Sequence, residues 1–224
     1  SQFIKRYKKG DLHNEVSVLI SEWADGGDLL EYIRDNYKTI TLREWRVILF
    51  QIISALAVIQ AKYPGFRHND LKANNILIQK IESRNKNNKF KYKINNEVYI
   101  LPNIGIQIKL WDFDFACIDG VVDNRKVNAE WTDKININCK KNRYYDIHYF
   151  LNTLVRKGFF PEFWDTPEIS KQVKDFIKRI VPEEYKTGPK IAERGRLLVD
   201  EEFITPDQIL KTDPFFDRLR PKNN

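Results

Sequence analysis

The stretch "RHNDLKANNILI", residues 67–78, carries the strongest signal in this chain. Polar side chains crowd its first nine positions, and a purely apolar triplet follows directly. A solvated surface loop needs no such order, whereas a loop that gathers a phosphate, a metal ion and a proton acceptor does. Asp70 can accept a proton, Lys72 can reach a phosphate, and Asn75 offers Mg²⁺ a neutral oxygen ligand. The stretch therefore predicts a loop that carries chemistry.

A second acidic stretch, "WDFDFA", lies further along the chain. Residues 104–116 predict a strand that runs into an acidic loop, so Asp112 lies where the strand ends. Asp112 is a charged, hard ligand for Mg²⁺. If this strand pairs with the short strand after Asn75, both loops meet at one edge of a small sheet. Together Asp70, Asn75 and Asp112 predict a metal–nucleotide site, although each carboxylate alone would suit a solvated loop.

The bulk composition describes a protein with a large core. The 224 residues are 42% hydrophobic and 13% aromatic. No apolar run approaches the roughly 18 residues that a membrane span needs, and the start "SQFIKRYKKG" is not a signal peptide. We therefore expect a soluble protein without a membrane span. The absence of methionine, even at position 1, suggests a piece of a longer protein.

The net charge of +7 is compatible with anionic partners such as nucleotides or acidic substrates. Much of the excess lies in the polar stretch "KIESRNKNNKFKYK", which predicts a solvated loop, so nucleic-acid binding is not inferred. Cys117 and Cys139 are too few for a disulfide framework and lack zinc-site spacing. We expect free thiols in a reducing compartment.

Periodicity predicts the order of the elements. A buried strand is expected in "EVSVLISEW" (15–23), a helix from about Asp28, and the longest helix over about 42–62, capped by Thr41 and Glu44. An inserted hairpin with "NN" at its turn is expected within residues 79–104.

The rest of the chain is predicted to be mainly helical. Residues 117–141 have no clear period and are expected to be irregular. The helices that follow are "NRYYDIHYFLNTLVRKG", "PEISKQVKDFIKRIV" and "TPDQILKTDPFFDRL", the last with Thr205 as its N-cap.

Five landmarks in the same order resemble eukaryotic-type protein kinases. "HNDLKANN" and "DFD" resemble the catalytic-loop and metal-loop motifs H-R-D-L-K-x-x-N and D-F-G. "LISEWADGGDLLEYI" is similar to the kinase hinge and its following helix, "YYDIHYF" to the start of helix F, and "TPDQILKTDPFF" to the last helix. The resemblance covers about residues 15–218.

The resemblance implies an α+β, protein-kinase-like fold. Residues 1–23 would be the last strands of the N-lobe and the start of the hinge. Residues 24–220 would form a mainly helical C-lobe with short β-hairpins, including the inserted one at about 79–104. The implied activity is ATP- and Mg²⁺-dependent transfer of phosphate to serine or threonine of a protein substrate.

The same resemblance assigns roles residue by residue. Asp70 and Lys72 would be catalytic, Lys72 favouring serine/threonine over tyrosine kinases, and Asp146 would fasten the catalytic loop from behind. The metal ligands would be Asn75 and Asp112. The nucleotide would contact Glu22 to Ala24 through the backbone, Asp28 at the ribose and Leu77 beneath the adenine, with Ser21 as gatekeeper.

The chain departs from the family pattern at several points. Asn69 replaces the Arg that reads an activation-loop phosphate, so control by that phosphate is not expected. Asp114 replaces the Gly of D-F-G, and no A-P-E is present. Only 21 residues precede Glu22, and no G-x-G-x-x-G is found. The missing N-lobe would lie upstream in the same protein or be supplied in trans.

Two alternatives stay open from sequence alone. A kinase-like scaffold without catalysis would explain the missing N-lobe, but not the intact Asp70, Lys72, Asn75 and Asp112. A small-molecule kinase of the choline or aminoglycoside type would explain H-N-D followed by N-I-L, but not the hinge-like stretch. "DFDFACIDG", the hairpin and the Lys/Asn/Ile bias narrow the resemblance to kinase-like proteins of large DNA viruses. That implies a host-cytoplasmic or virion location.

Overall fold

The structure is a computed structural model that describes residues 2–11, 20–81 and 88–221. It combines helices with short strands, in agreement with the predicted α+β class. The helices are α1 (Gln2–Lys8), α2 (Leu29–Asn36), α3 (Leu42–Lys62), α4 (Glu130–Asp133), α5 (Tyr145–Leu154), α6 (Lys171–Ile180) and α7 (Pro206–Thr212). The strands are β1 (Phe66–Arg67), β2 (Ile76–Lys80), β3 (Lys89–Ile94), β4 (Glu97–Pro102), β5 (Ile106–Leu110) and β6 (Cys117–Ile118).

Helix α3 is the central element of the core. Its bounds match the prediction because its start is set locally: the Glu44 amide donates to Thr41 Oγ1 at 3.3 Å, and the Thr41 amide donates to Glu44 Oε2 at 2.7 Å. Most of its side chains are buried, and it packs against α7 and β5. Each large apolar side chain buried in this way contributes about 1.5–3 kcal/mol, so the helix contributes strongly to stability.

The pair β2–β5 brings the two polar loops together. The strands are antiparallel, with Ile76 opposite Leu110 and Lys80 opposite Ile106. The first residue of β2 therefore lies beside the last residue of β5. Asn75 and Trp111, which flank this pair, are joined by a hydrogen bond from the Trp111 amide to the Asn75 carbonyl of 3.0 Å. The sheet edge predicted from the sequence is thus present.

The β3–β4 hairpin turns at Asn95 and Asn96, as predicted. It is part of the core, because Tyr99 and Leu101 are each only 1% exposed. The rings of Tyr92 and Tyr99 lie 5.6 and 4.9 Å from the ring of Phe50 on α3. The hairpin is therefore packed into the core and is not a surface appendage.

The predicted strand at 15–23 is not observed where it can be judged. Residues 12–19 lie outside the described residues. Residues 20–23 form no strand, and Ile20 and Trp23 are 90% and 83% exposed, so the expectation of burial is wrong there. A β-branched run becomes a strand only when a neighbour satisfies its backbone groups.

The expectation of free thiols is also wrong. Cys117 and Cys139 form a disulfide, with their Cα atoms 5.6 Å apart. Residues 117–139 fold back on themselves around Val127 and Ile137, which pack with Cys117 in a small cluster. Because the sequence shows no period here, nothing in it indicated that the cysteines meet. The inference of a reducing compartment loses its basis.

Residues 117–141 are otherwise mostly irregular, as predicted, and contain the two-residue strand β6, a 3₁₀ turn and the short helix α4. Within the described ranges, no helix combines the length and apolar character that a bilayer crossing requires.

Candidate active site

Asp70 lies at the centre of a compact polar cluster. Its carboxylate is almost buried, with 10% of the side chain exposed. Oδ2 accepts hydrogen bonds from Lys72 Nζ at 2.9 Å and from the Asn75 side-chain nitrogen Nδ2 at 3.0 Å. The Asn75 nitrogen also donates to the Asp70 carbonyl at 2.9 Å. Three of the predicted site residues are therefore in direct contact.

The second carboxylate oxygen of Asp70 accepts from Arg196, which sequence analysis missed. The Arg196 guanidinium is buried, donates to Asp70 Oδ1 and to the Asn69 carbonyl, and lies 4.0 Å from the Tyr149 ring centre. A carboxylate offers about four lone-pair positions, so three donors leave room for one more. The cluster fixes Asp70 without closing it to a further partner.

The two predicted metal ligands lie near the same end of the β2–β5 pair: Asn75 directly precedes β2, and Asp112 is two residues beyond the end of β5. Because the side-chain nitrogen Nδ2 of Asn75 donates to Asp70, the side-chain oxygen Oδ1 is the atom that remains for a cation. Asp112 is exposed, and its backbone is left-handed, with φ of 58°. That conformation costs a non-glycine residue about 1–2 kcal/mol, and such strain is typical of functional loops.

This donor set suits a magnesium ion that enters with nucleotide phosphates. Mg²⁺ in such sites takes one or two protein oxygen ligands and completes its shell with phosphate oxygens and water. Across the described residues, no group of three His, Cys, Asp or Glu side chains could hold a metal without such help. The residues would fit a metal ion that is bound together with nucleotide phosphates.

Asp146 fastens the loop from behind, as the resemblance implied. It is fully buried in the first turn of α5 and accepts the amides of His68 and Asn69 at 2.7 and 2.9 Å. Burial raises the pKa of this carboxyl, while the charge of His68 and these two amides oppose the rise. His68 Nε2 lies 2.9 Å from the Trp111 carbonyl, so the two loops are also tied directly.

The predicted nucleotide-side residues lie along β2 and β5. Asp28 forms an isolated bridge with Leu77, and the Glu22 carboxylate lies 3.6 Å from Lys109 Nζ on β5. Ala24 is half-buried and Ser21 is exposed. The side chain of Asp28 caps α2 by accepting the Glu31 amide at 3.0 Å, a structural role that the sequence interpretation did not assign.

Gly26 is the residue that lets this hinge-like segment approach β2. Its amide donates to the Ile78 carbonyl at 2.7 Å. A Cβ at this position would lie 2.6 Å from both that carbonyl oxygen and the Ile78 Cγ2 atom. Any larger residue would therefore push the segment away from the strand that carries Leu77.

The two departures from the kinase motifs have structural explanations. The side-chain nitrogen Nδ2 of Asn69 donates to the carbonyls of Phe115 and Asn138 at 2.9 and 3.0 Å. The Asn69 side chain therefore holds residues 115–138 instead of binding a phosphate. Asp114 lies in a 3₁₀ turn that does not require glycine, and its carboxylate pairs with Lys126 Nζ at 2.6 Å.

Buried Arg67 also holds residues of this segment. Its guanidinium donates to the Asn136 carbonyl at 2.6 Å and to Asn138 Oδ1 at 2.7 Å, and it lies 3.7 Å from the Tyr145 ring centre. Residues 115–138, which follow the metal loop, are thus held by the side chains of Arg67 and Asn69 and by the Cys117–Cys139 disulfide.

Comparison with known proteins decides which family this arrangement belongs to. A family model described as poxvirus serine/threonine protein kinase matches residues 31–200. The chain belongs to this family. The match includes the catalytic-loop cluster, the metal loop, Asp146 and Arg196, and it confirms the resemblance to viral kinase-like proteins.

Individual relatives agree with this membership. A protein of Acanthamoeba polyphaga mimivirus, named as a candidate serine/threonine-protein kinase, is 53% identical over 222 residues, which is 98% of this chain and 47% of the relative. Serine/threonine-protein kinase 2 of monkeypox virus is 34% identical over 178 residues, or 76% of this chain and 35% of the relative. The chain therefore spans less than half the length of each.

In this member of the poxvirus kinase family, the sequence motifs predicted some residues of the site and missed others. Asp70, Lys72 and Asn75 were found because they lie within six residues of one another. Arg196 lies 126 residues from Asp70 in "AERGRLLVD", which contains no motif. Only its unusual burial for a charged residue reveals it.

Proposed function

We propose that this chain carries the catalytic loop and metal loop of a serine/threonine protein kinase that uses ATP and Mg²⁺. The observation that carries the proposal is the Asp70 cluster, in which one carboxylate is held by Lys72, Asn75 and Arg196. Phosphoryl transfer depends mainly on positioning and charge, and the cluster supplies both.

Each residue has a distinct role in this proposal. Asp70 orients the attacking hydroxyl and accepts its proton, and Lys72 contacts the transferred phosphate. Asn75 and Asp112 would hold Mg²⁺ together with the phosphates, whose charge the metal neutralises. Arg196 sets the position of Asp70 from the protein side.

On the nucleotide side, Glu22 to Ala24 would meet the adenine through their backbone, Asp28 the ribose, and Leu77 the underside of the base. Residues 1–23 would belong to the end of the N-lobe and residues 24–220 to the C-lobe. The remainder of the N-lobe would come from upstream in the same protein or from a partner. Exposed Trp23, and Trp111 and Phe113 flanking Asp112, support this, since a covering lobe would bury them.

Paired substitutions test the assignment in a form of the protein that includes an N-lobe. Asp70→Asn keeps the size of the side chain but removes the proton acceptor, so turnover should fall by about 10²–10⁴-fold. Asp112→Asn should weaken Mg²⁺-dependent nucleotide binding. Asp35→Asn is the control, because Asp35 is exposed on α2.

Turnover is measured by transfer of labelled phosphate to a protein substrate, with melting temperature as a check on folding. Wild-type rates in both site variants would show that the assignment is wrong. Loss in Asp35→Asn as well would show that the effect is not specific to the site.

A further inference from the structure

A basic cleft opens beside Lys72, on the side of the catalytic loop that leads to the end of α5. Its volume is about 420 Å³. The charged side chains that line it are Lys72, Arg156, Lys157, Glu193 and Arg194, and the rings of Tyr149 and Phe159 complete its walls. Since Lys72 is paired with Asp70, three further cations face the single carboxylate of Glu193, so the basic cleft keeps an excess of positive charge.

Three of these cations, Arg156, Lys157 and Arg194, have no ion-pair partner among the described residues, whereas Lys72 is paired with Asp70 at 2.9 Å. Arg156 is held in place by main-chain carbonyls, those of Glu193 and Lys186, and so keeps its full charge. Lys157 and Arg194 are exposed, and neither forms an ion pair with any described residue. Long cations gathered without counter-ions repel one another, so an anionic ligand would relieve this repulsion.

The position of the basic cleft links it to the proposed chemistry. Lys72 lines the cleft and also pairs with Asp70 at 2.9 Å, so the cleft begins one side chain away from the proposed proton acceptor. A protein segment whose hydroxyl reaches Asp70 would place residues a few positions away in the cleft. An arginine in such a cleft can bind a carboxylate or phosphate in a bidentate manner.

We propose that the basic cleft selects protein substrates that carry an anionic side chain, a carboxylate or a phosphate, close to the acceptor hydroxyl. This rests on the proposed function, because it names the substrate class of the same site. The cleft is a local pocket and not an extended basic stripe, which favours a peptide side chain over a nucleic-acid backbone.

Peptide binding to residues 1–224 tests the cleft without requiring catalysis. Fluorescent peptides with one serine are made in three versions, flanked by glutamate, by phosphoserine or by glutamine, and their binding is followed by fluorescence anisotropy. We expect the two anionic versions to bind about fivefold to tenfold more tightly than the glutamine version. Phosphoserine carries more charge than glutamate, so the order of the two anionic peptides distinguishes a primed site from an acidic one.

Charge reversal identifies the surface responsible. The double variant Lys157→Glu with Arg194→Glu should abolish the preference, since both side chains line the cleft and neither touches Asp70. The control Lys62→Glu with Arg218→Glu makes the same change in net charge at two exposed residues outside the cleft and should keep the preference. Equal melting temperatures would show that both variants fold.

Several outcomes would overturn the cleft proposal. These are equal binding of the three peptides, no measurable binding of the anionic ones, or an equal loss in the control variant. Binding of a single-stranded oligonucleotide with the same dependence on Lys157 and Arg194 would also overturn it in favour of a nucleic-acid surface. If charge-dependent binding is present but no form of the protein transfers phosphate, the proposed function fails and the cleft stands.

Discussion

Asp146 illustrates, at the scale of one residue, how a buried carboxylate shapes a loop it does not belong to. It accepts hydrogen bonds from two consecutive backbone N–H groups, those of His68 and Asn69. Asn69 has a left-handed backbone, with φ of 65°. Because no water reaches these amides, their only compensation is this carboxylate. The loop conformation that presents Asp70 therefore depends on Asp146.

Replacing Asp146 with alanine should lower the free energy of unfolding by about 1–3 kcal/mol, because both amides would lose their acceptor. Chemical denaturation of the purified chain measures this. Asp35→Ala, at an exposed position on α2, should change stability by about 0.5 kcal/mol or less. An unchanged midpoint in Asp146→Ala would mean that the loop holds its shape by other contacts.

His148 predicts how stability depends on pH. Burial lowers the pKa of His148 to about 4, and its Nε2 lies 2.7 Å from the Tyr185 carbonyl. Above its unfolded pKa of about 6.5, His148 is neutral in both states. As the pH falls from 6.5 towards 4, the unfolded state takes up the proton first, so stability should fall by up to about 1.4 kcal/mol per pH unit.

The variant His148→Gln isolates this contribution, because glutamine keeps a donor for the Tyr185 carbonyl and cannot titrate. The raised pKa of Asp146 acts in the opposite direction but is common to both proteins. The difference between the two unfolding free energies should therefore shrink or reverse between pH 6.5 and 4. A difference independent of pH would show that His148 does not titrate in this range.

At the scale of elements, local chemistry explains what the sequence could predict. Helices α3 and α7 were predicted with their N-caps because a capping box lies within four residues. The β3–β4 turn followed from Asn95 and Asn96 for the same reason. The Asp70–Arg196 pair and the Cys117–Cys139 disulfide could not be found, because they join segments whose approach depends on the whole fold.

The β3–β4 hairpin should behave as part of the core. Tyr99 is 1% exposed and packs on Phe50, so Tyr99→Ala would leave a cavity beside α3. We expect a loss of about 3–5 kcal/mol in the free energy of unfolding, measured by thermal or chemical denaturation. Lys91→Ala, exposed on the paired strand β3, is the control and should have little effect. A small loss for Tyr99→Ala would show that the hairpin folds independently of α3.

At the scale of the whole molecule, described residues hold the catalytic loop on several sides, whereas the rings of Trp23 and Trp111 stay exposed. The catalytic loop is tied to α5 by Asp146, to the metal loop by His68, and to residue 196 by Asp70. On the nucleotide side, Trp23 is 83% exposed and Trp111 is 42% exposed. The salt bridge between Glu22 and Lys109 places the hinge-like segment next to the end of β5. The site thus has a floor on which a nucleotide could rest.

This asymmetry predicts the behaviour of residues 1–224 on their own. Without a glycine-rich loop above the nucleotide, its phosphates would face water, where contacts with charged groups are strongly screened. The γ-phosphate would also be poorly aligned, and alignment supplies much of the rate of phosphoryl transfer. We therefore expect weak or undetectable binding of Mg-ATP by calorimetry and negligible transfer to a generic acidic protein. A form that includes an N-lobe should gain both. Micromolar binding with clear turnover by residues 1–224 alone would contradict this and would mean that a segment of this chain covers the nucleotide.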